Sequence, residues 1–132
     1  MILPNGATVA VADGKSLSLF KNAGHEGGVS LSPLAAPELA GGNAGGSHHS
    51  SAAEPDDRTQ AEDGHAAAAA AWLNKQVLDG KIAALVVIAA PRALGELRKH
   101  YHKALQAVLA GELAKDLAGH PLADIEAALT AA

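Results

Sequence analysis

From Ile82 to Ala90 nine apolar residues follow one another without a polar interruption. Unbroken apolarity, rather than alternation, requires both faces of the segment to be covered, the pattern of a central strand with helices on either side of its sheet. The run is far too short for a bilayer, which takes about 20 residues. It therefore commits the chain to an α/β fold. Pro91 suits the first position of a helix, and Leu94, Leu97, Tyr101, Leu105 and Val108 recur at three or four residues, so one helix is expected from Pro91 through Val108. Open α/β sheets place ligands just beyond such strand ends, which makes this junction the first place to look for chemistry.

Ahead of the run, "TVAVADGKSLSLF" alternates Val9 and Val11, then Leu17 and Leu19, about an Asp13-Gly14 pair. That dipeptide favours a tight type I′ turn and predicts a hairpin. Val29, Leu31 and Leu34 give a third short strand, ended by Pro33 and Pro37. Residues 41–64 hold Gly, Ser and acidic side chains and nothing large and apolar, which predicts a flexible loop. Next, "HAAAAAAWLNKQVLDG" is a strong helix former with Ala66, Ala69, Ala70, Leu73 and Val77 on one stripe, Asp63 near its start and Gly80 as its stop. A strand over residues 109–117 and a terminal helix with Pro121, Leu122, Ile125 and Leu129 complete the order. The expectation is a mixed-sheet α/β fold with three N-terminal antiparallel strands followed by α-β-α-β-α, a topology shared by ribonuclease H-like sheets. At 132 residues the chain reads as a single domain spanning residues 1–132.

Several function classes drop out. Without cysteine there are no disulfides and no thiolate ligands or nucleophiles. A formal charge of −4 argues against general attraction to nucleic acid. Met1 to Gly6 lacks the basic and apolar regions of a signal peptide, so a cytoplasmic protein without a membrane span is expected. A metal nuclease needs carboxylates converging on cations at its strand ends, yet the central run ends in Ala89-Ala90-Pro91, and Asp13 reads as a turn residue. His48 and His49 sit adjacent between Gly and Ser, and His100 and His102 point to different helix faces, so no zinc set is expected. No phosphate loop or serine elbow is present. Arg92, Arg98, Lys99 and Lys103 form a candidate phosphate-gripping face, against the alternative of an ordinary solvated helix face. The expectation is no enzyme, no catalytic residue, no metal and no cofactor. The thin, Ala-rich core leaves a homodimer open.

The pieces "VAVADGKSLSLFKN", "LVVIAAPRALGELR" and "AKDLAGHP" resemble the bacterial host attachment family, whose members are described as required for attachment to host cells. Within them the motif positions are Asp13, Gly14, Pro91, Gly95, Lys115 and Asp116. That family is similar in turn to the middle domain of archaeal and eukaryotic peptide-chain release factors. The resemblance implies the same fold and a loop ahead of the long helix, where release factors carry Gly-Gly-Gln to position a water for ester hydrolysis. Here the loop offers Gly41, Gly42 and Asn43, then Gly45, Gly46 and Ser47, with His48 and His49 following; glutamine is absent from both Gly pairs. The reading is a non-enzymatic binding protein associated with the ribosome or RNA. The alternative is a small peptidyl-tRNA-acting hydrolase or rescue-type factor using the 41–64 loop.

Overall fold

The computed structural model describes residues 1–26, 28–39 and 55–132. Its strands are β1 (Thr8–Ala12), β2 (Leu17–Asn22), β3 (Leu31–Pro33), β4 (Leu85–Ala89) and β5 (Leu109–Ala114). They form one five-stranded sheet in the order β3-β2-β1-β4-β5. β1 and β4 pair in parallel at its centre, and every residue of both is buried. β5 extends the parallel side, while β2 and β3 add antiparallel strands on the other. The helices are α1 (Pro55–Leu78), α2 (Pro91–Arg98), α3 (Lys103–Val108) and α4 (Leu122–Ala131). The mixed α/β architecture is the one expected.

Alternation along β1 sorts the core into two layers. Ala10 and Ala12, with Val87 and Ala89 of β4, meet Ala66, Ala69, Ala70 and Leu73 of α1, Leu94 and Leu97 of α2 and Leu105 of α3. Val9, Val11, Val86 and Ile88 face the other way, onto Leu3 and onto Ile125 and Leu129 of α4. Alanine against alanine lets α1 lie close to the sheet, so small side chains still close the layer. Gly80 takes the left-handed φ of +78° and ends α1, with Gly80 N–H on the Val77 carbonyl and Lys81 N–H on that of Gln76.

Four expectations are corrected. Residues 55–64 are not loop but the first turns of α1, opened by Pro55 and the acidic Asp56 and Asp57, which suit a helix N-terminus. Gly41, Gly42, Asn43, Gly45, Gly46, His48 and His49 lie outside the described residues. The Asp13-Gly14 turn is not type I′: Ala12 pairs with Leu17, which leaves Asp13 to Ser16 as the connection. Gly14 is not among the described residues with positive φ. Asp13 Oδ1 instead accepts from Lys15 N–H (2.8 Å), Ser16 N–H (2.6 Å) and Ser16 Oγ (3.0 Å), so a side chain organises the turn. Pro33 does not end β3 but is its last residue, tolerated because β3 is an edge.

The fourth correction concerns the helix after Pro91, which is two helices. After Arg98 the N–H groups of Lys99, His100 and Tyr101 reach back only three residues. Asn74 of α1 bridges the gap, donating to the His100 carbonyl (2.8 Å) and accepting from His102 N–H (2.9 Å). His102 Nδ1 then accepts from Ala104 N–H and caps α3. The strand expected over residues 109–117 stops at Ala114.

Candidate functional site

Parallel pairing brings the carboxyl ends of β1, β4 and β5 side by side, and each is followed by one of the motifs quoted above. Asp13-Gly14 follows β1, Pro91 opens α2 after β4, and Lys115-Asp116 follows β5. A cleft of about 370 Å³ lies there, where open α/β sheets hold ligands. Its apolar lining includes Ala12, Ala66, Ala69, Ala90, Ala93 and Leu97, and its polar rim is Asp13, Lys15, Glu62, Asp63, Arg92, Glu96 and Asp116. Gly14 belongs to the same wall for a steric reason: a Cβ on it would come within 2.7 Å of Glu62 Cγ, so glycine lets the turn approach α1. Of the other motif positions, Gly95 has open space beside it, and Lys115 donates its N–H to the Leu113 carbonyl.

The carboxylates of this rim are largely engaged within the fold. Arg92 lies 3.1 Å from Asp63 and 3.6 Å from Glu62, joining the start of α2 to α1. Glu96 meets Lys99 at 3.0 Å and His100 at 3.6 Å. The hydrogen bond from Lys99 holds the Glu96 carboxyl below its usual range, slight desolvation opposes it, and the charges of Lys99 and His100 assist. Burial pushes Asp13 up, but the Lys15 and Ser16 donors and the nearby His65 outweigh it and hold that carboxyl low. His65 also lines a second depression of about 560 Å³ with Ser16, Pro37 and Leu39. Its Nε2 is buried without a hydrogen-bond partner. Among the described residues no group of three or more His, Asp or Glu side chains is arranged to hold a metal ion.

The four candidate cations are dispersed rather than pooled. Arg98 grips Glu112 of β5 through Nε (3.0 and 3.2 Å) and Nη2 (2.8 Å), and the Tyr101 hydroxyl donates to the same carboxylate at 3.3 Å. Burial, then the charge and hydrogen bond of Glu112, push the Tyr101 phenol well above its usual range. With Arg92 and Lys99 also paired, three of the four must exchange a carboxylate before touching a phosphate. Lys103 is exposed and has no carboxylate in ion-pair distance among the described residues.

Sequence reasoning missed Glu62, Asp63 and Glu96 as rim residues. The first two fell within a presumed loop; the helix-start signal at Pro55 to Asp57 would have placed them on α1, on the side that meets Arg92. No helix among the described residues is long and apolar enough to cross a membrane. Comparison with known families gives one match: the model of bacterial archaeo-eukaryotic release factor family 12 fits residues 6–129, nearly the whole chain. No curated protein matches.

Proposed function

The chain belongs to bacterial archaeo-eukaryotic release factor family 12, and from that premise we propose that it is a cytoplasmic, translation-associated binding protein that engages the ribosome without chemistry of its own. The family match along residues 6–129 is the observation that carries the reading. Two features support the non-enzymatic part. The rim carboxylates Glu62, Asp63 and Glu96 are committed to Arg92 and Lys99, and the sequence has Asn43 where release factors carry the glutamine of Gly-Gly-Gln.

The internal pairing of Arg92, Arg98 and Lys99 shapes how binding depends on salt. A protein gripping phosphates with free cations loses affinity steeply as salt rises; here few cations are free, so a shallow dependence is expected. Any effect on attachment to host cells follows indirectly from this cytoplasmic role, and finding the native protein on the outer surface of intact cells would contradict it.

Sedimentation of the native protein through sucrose gradients at low and high salt tests the proposal. Co-migration with ribosomal particles that persists as salt rises is the expected result. Recovery only as a small free species under both conditions would overturn ribosome association.

A further inference from the structure

The two edges of the sheet are built differently. β3 has three residues, ends in Pro33, which has no N–H to offer, and gives the Leu31 N–H to Glu126 Oε2 of α4 at 2.7 Å. Those are the devices that stop an edge from recruiting another strand. β5 carries fewer of them. It is six residues long, LAGELA, with neither proline nor lysine. Its single bulge lies at the start, where Leu85 pairs with Leu109 but Val86 pairs with Gly111, so Ala110 is the extra residue. From Gly111 to Ala114 the strand is regular, and no described strand pairs with its outer side.

Apolar surface accompanies this open edge. Leu109 and Leu113 are half-buried and pack with opposite layers of the core. Met1 lies on Gly111 so closely that a Cβ there would come within 2.7 Å of its Cε. Its chain neighbour Ile2 is 82% exposed, the most exposed large apolar residue described. The only charge on the strand, Glu112, is already neutralised by Arg98.

We propose that the outer edge of β5 is a self-association surface, on which two copies pair antiparallel about a two-fold axis and join their sheets into one. Centring the axis between Gly111 and Glu112 sets each Glu112 opposite a glycine rather than opposite another charge, which avoids the penalty of like charges facing across a strand pair. Each Arg98 stays on its own Glu112. The second copy supplies the strand that the backbone of Gly111 to Ala114 lacks and covers Leu109, Leu113 and Ile2. Because a closed two-fold pair uses the same surface on both copies, association stops at the dimer.

Light scattering on the full chain across a concentration series tests this, with the Ala110→Lys, Ala114→Lys double variant beside it. Both positions are exposed, so the variant keeps its fold while placing edge lysines where pairing would occur. The mass should rise from 13.2 kDa toward twice that value, and the variant should need at least about tenfold more protein to associate, roughly 1.4 kcal/mol of lost affinity. A wild-type chain that stays monomeric throughout, or a variant that associates as well as wild type, overturns the proposal. Hydrogen exchange on the wild type gives a reading free of mutation: amides of Gly111 to Ala114 should gain protection with concentration, and unchanged exchange there contradicts it.

Discussion

Asn22 and Asn74 do the same job in two regions of the molecule, at different depths. Asn22, 1% exposed, sits where β2, the N-terminal segment and the approach to β3 meet. Its Nδ2 donates to the carbonyls of Pro4 and Gly28, both at 3.1 Å, and its Oδ1 accepts from the N–H groups of Gly24 (3.0 Å) and Ser30 (2.9 Å). Asn74 holds the break between α2 and α3 with one bond given and one accepted, both in exposed surroundings. Water can replace what Asn74 supplies. It cannot reach most of what Asn22 supplies, so identical side chains making similar bonds carry unequal shares of stability.

Removing Asn22 should be the most damaging change. Asn22→Ala orphans several backbone groups together and is expected to cost about 3 kcal/mol or more, lowering the thermal midpoint by roughly 10 °C. A loss no larger than that of Asn74→Ala would break the comparison. Asn74→Ala should cost about 1 kcal/mol, with faster hydrogen exchange confined to residues 99–104; exchange that rises equally in the central strands would show that the clamp serves the whole fold.

The Asp13 turn tests an intermediate case, since its acceptor is only partly buried. Asp13→Ala should cost about 1 kcal/mol at neutral pH. The carboxyl is held below its model value of 3.8 in the folded protein, so its charged-state stabilisation is complete above that value and disappears as pH falls through the depressed one. Denaturant titrations of wild type and variant should therefore converge on acidification below about pH 4, and a gap that widens would contradict the account. At the small end, Lys99→Ala should leave the midpoint unchanged, because its pair with Glu96 is an exposed one three residues apart.

The same contrast explains what could be read in advance. β4 and the buried stripe of α1 were legible because their signals are local: an unbroken apolar run, and alanines repeating at helical spacing. Pro55 with Asp56 and Asp57 was also local, but the polar composition around it concealed a helix. The α2–α3 break was not legible at all. The spacing from Leu97 through Tyr101 to Leu105 continues across it, and the residue that stabilises it lies 26 and 28 positions from the groups it bonds. The rim was half legible: Asp13, Gly14 and Asp116 stood out as motif positions, whereas the partners of Arg92 and Arg98 are 29 and 14 residues distant. Pairing across such separations turns a stripe of cations into a set of internal bridges.

The most direct test of the central claim adds purified protein to purified ribosomal particles carrying peptidyl-tRNA, and reads binding and ester cleavage in the same tube. The account predicts that protein sediments with the particles, that binding changes little with salt, and that peptide stays on the tRNA. Failure to bind at low salt would contradict the ribosomal role. Peptide release that Asn43→Ala abolishes would contradict the absence of chemistry.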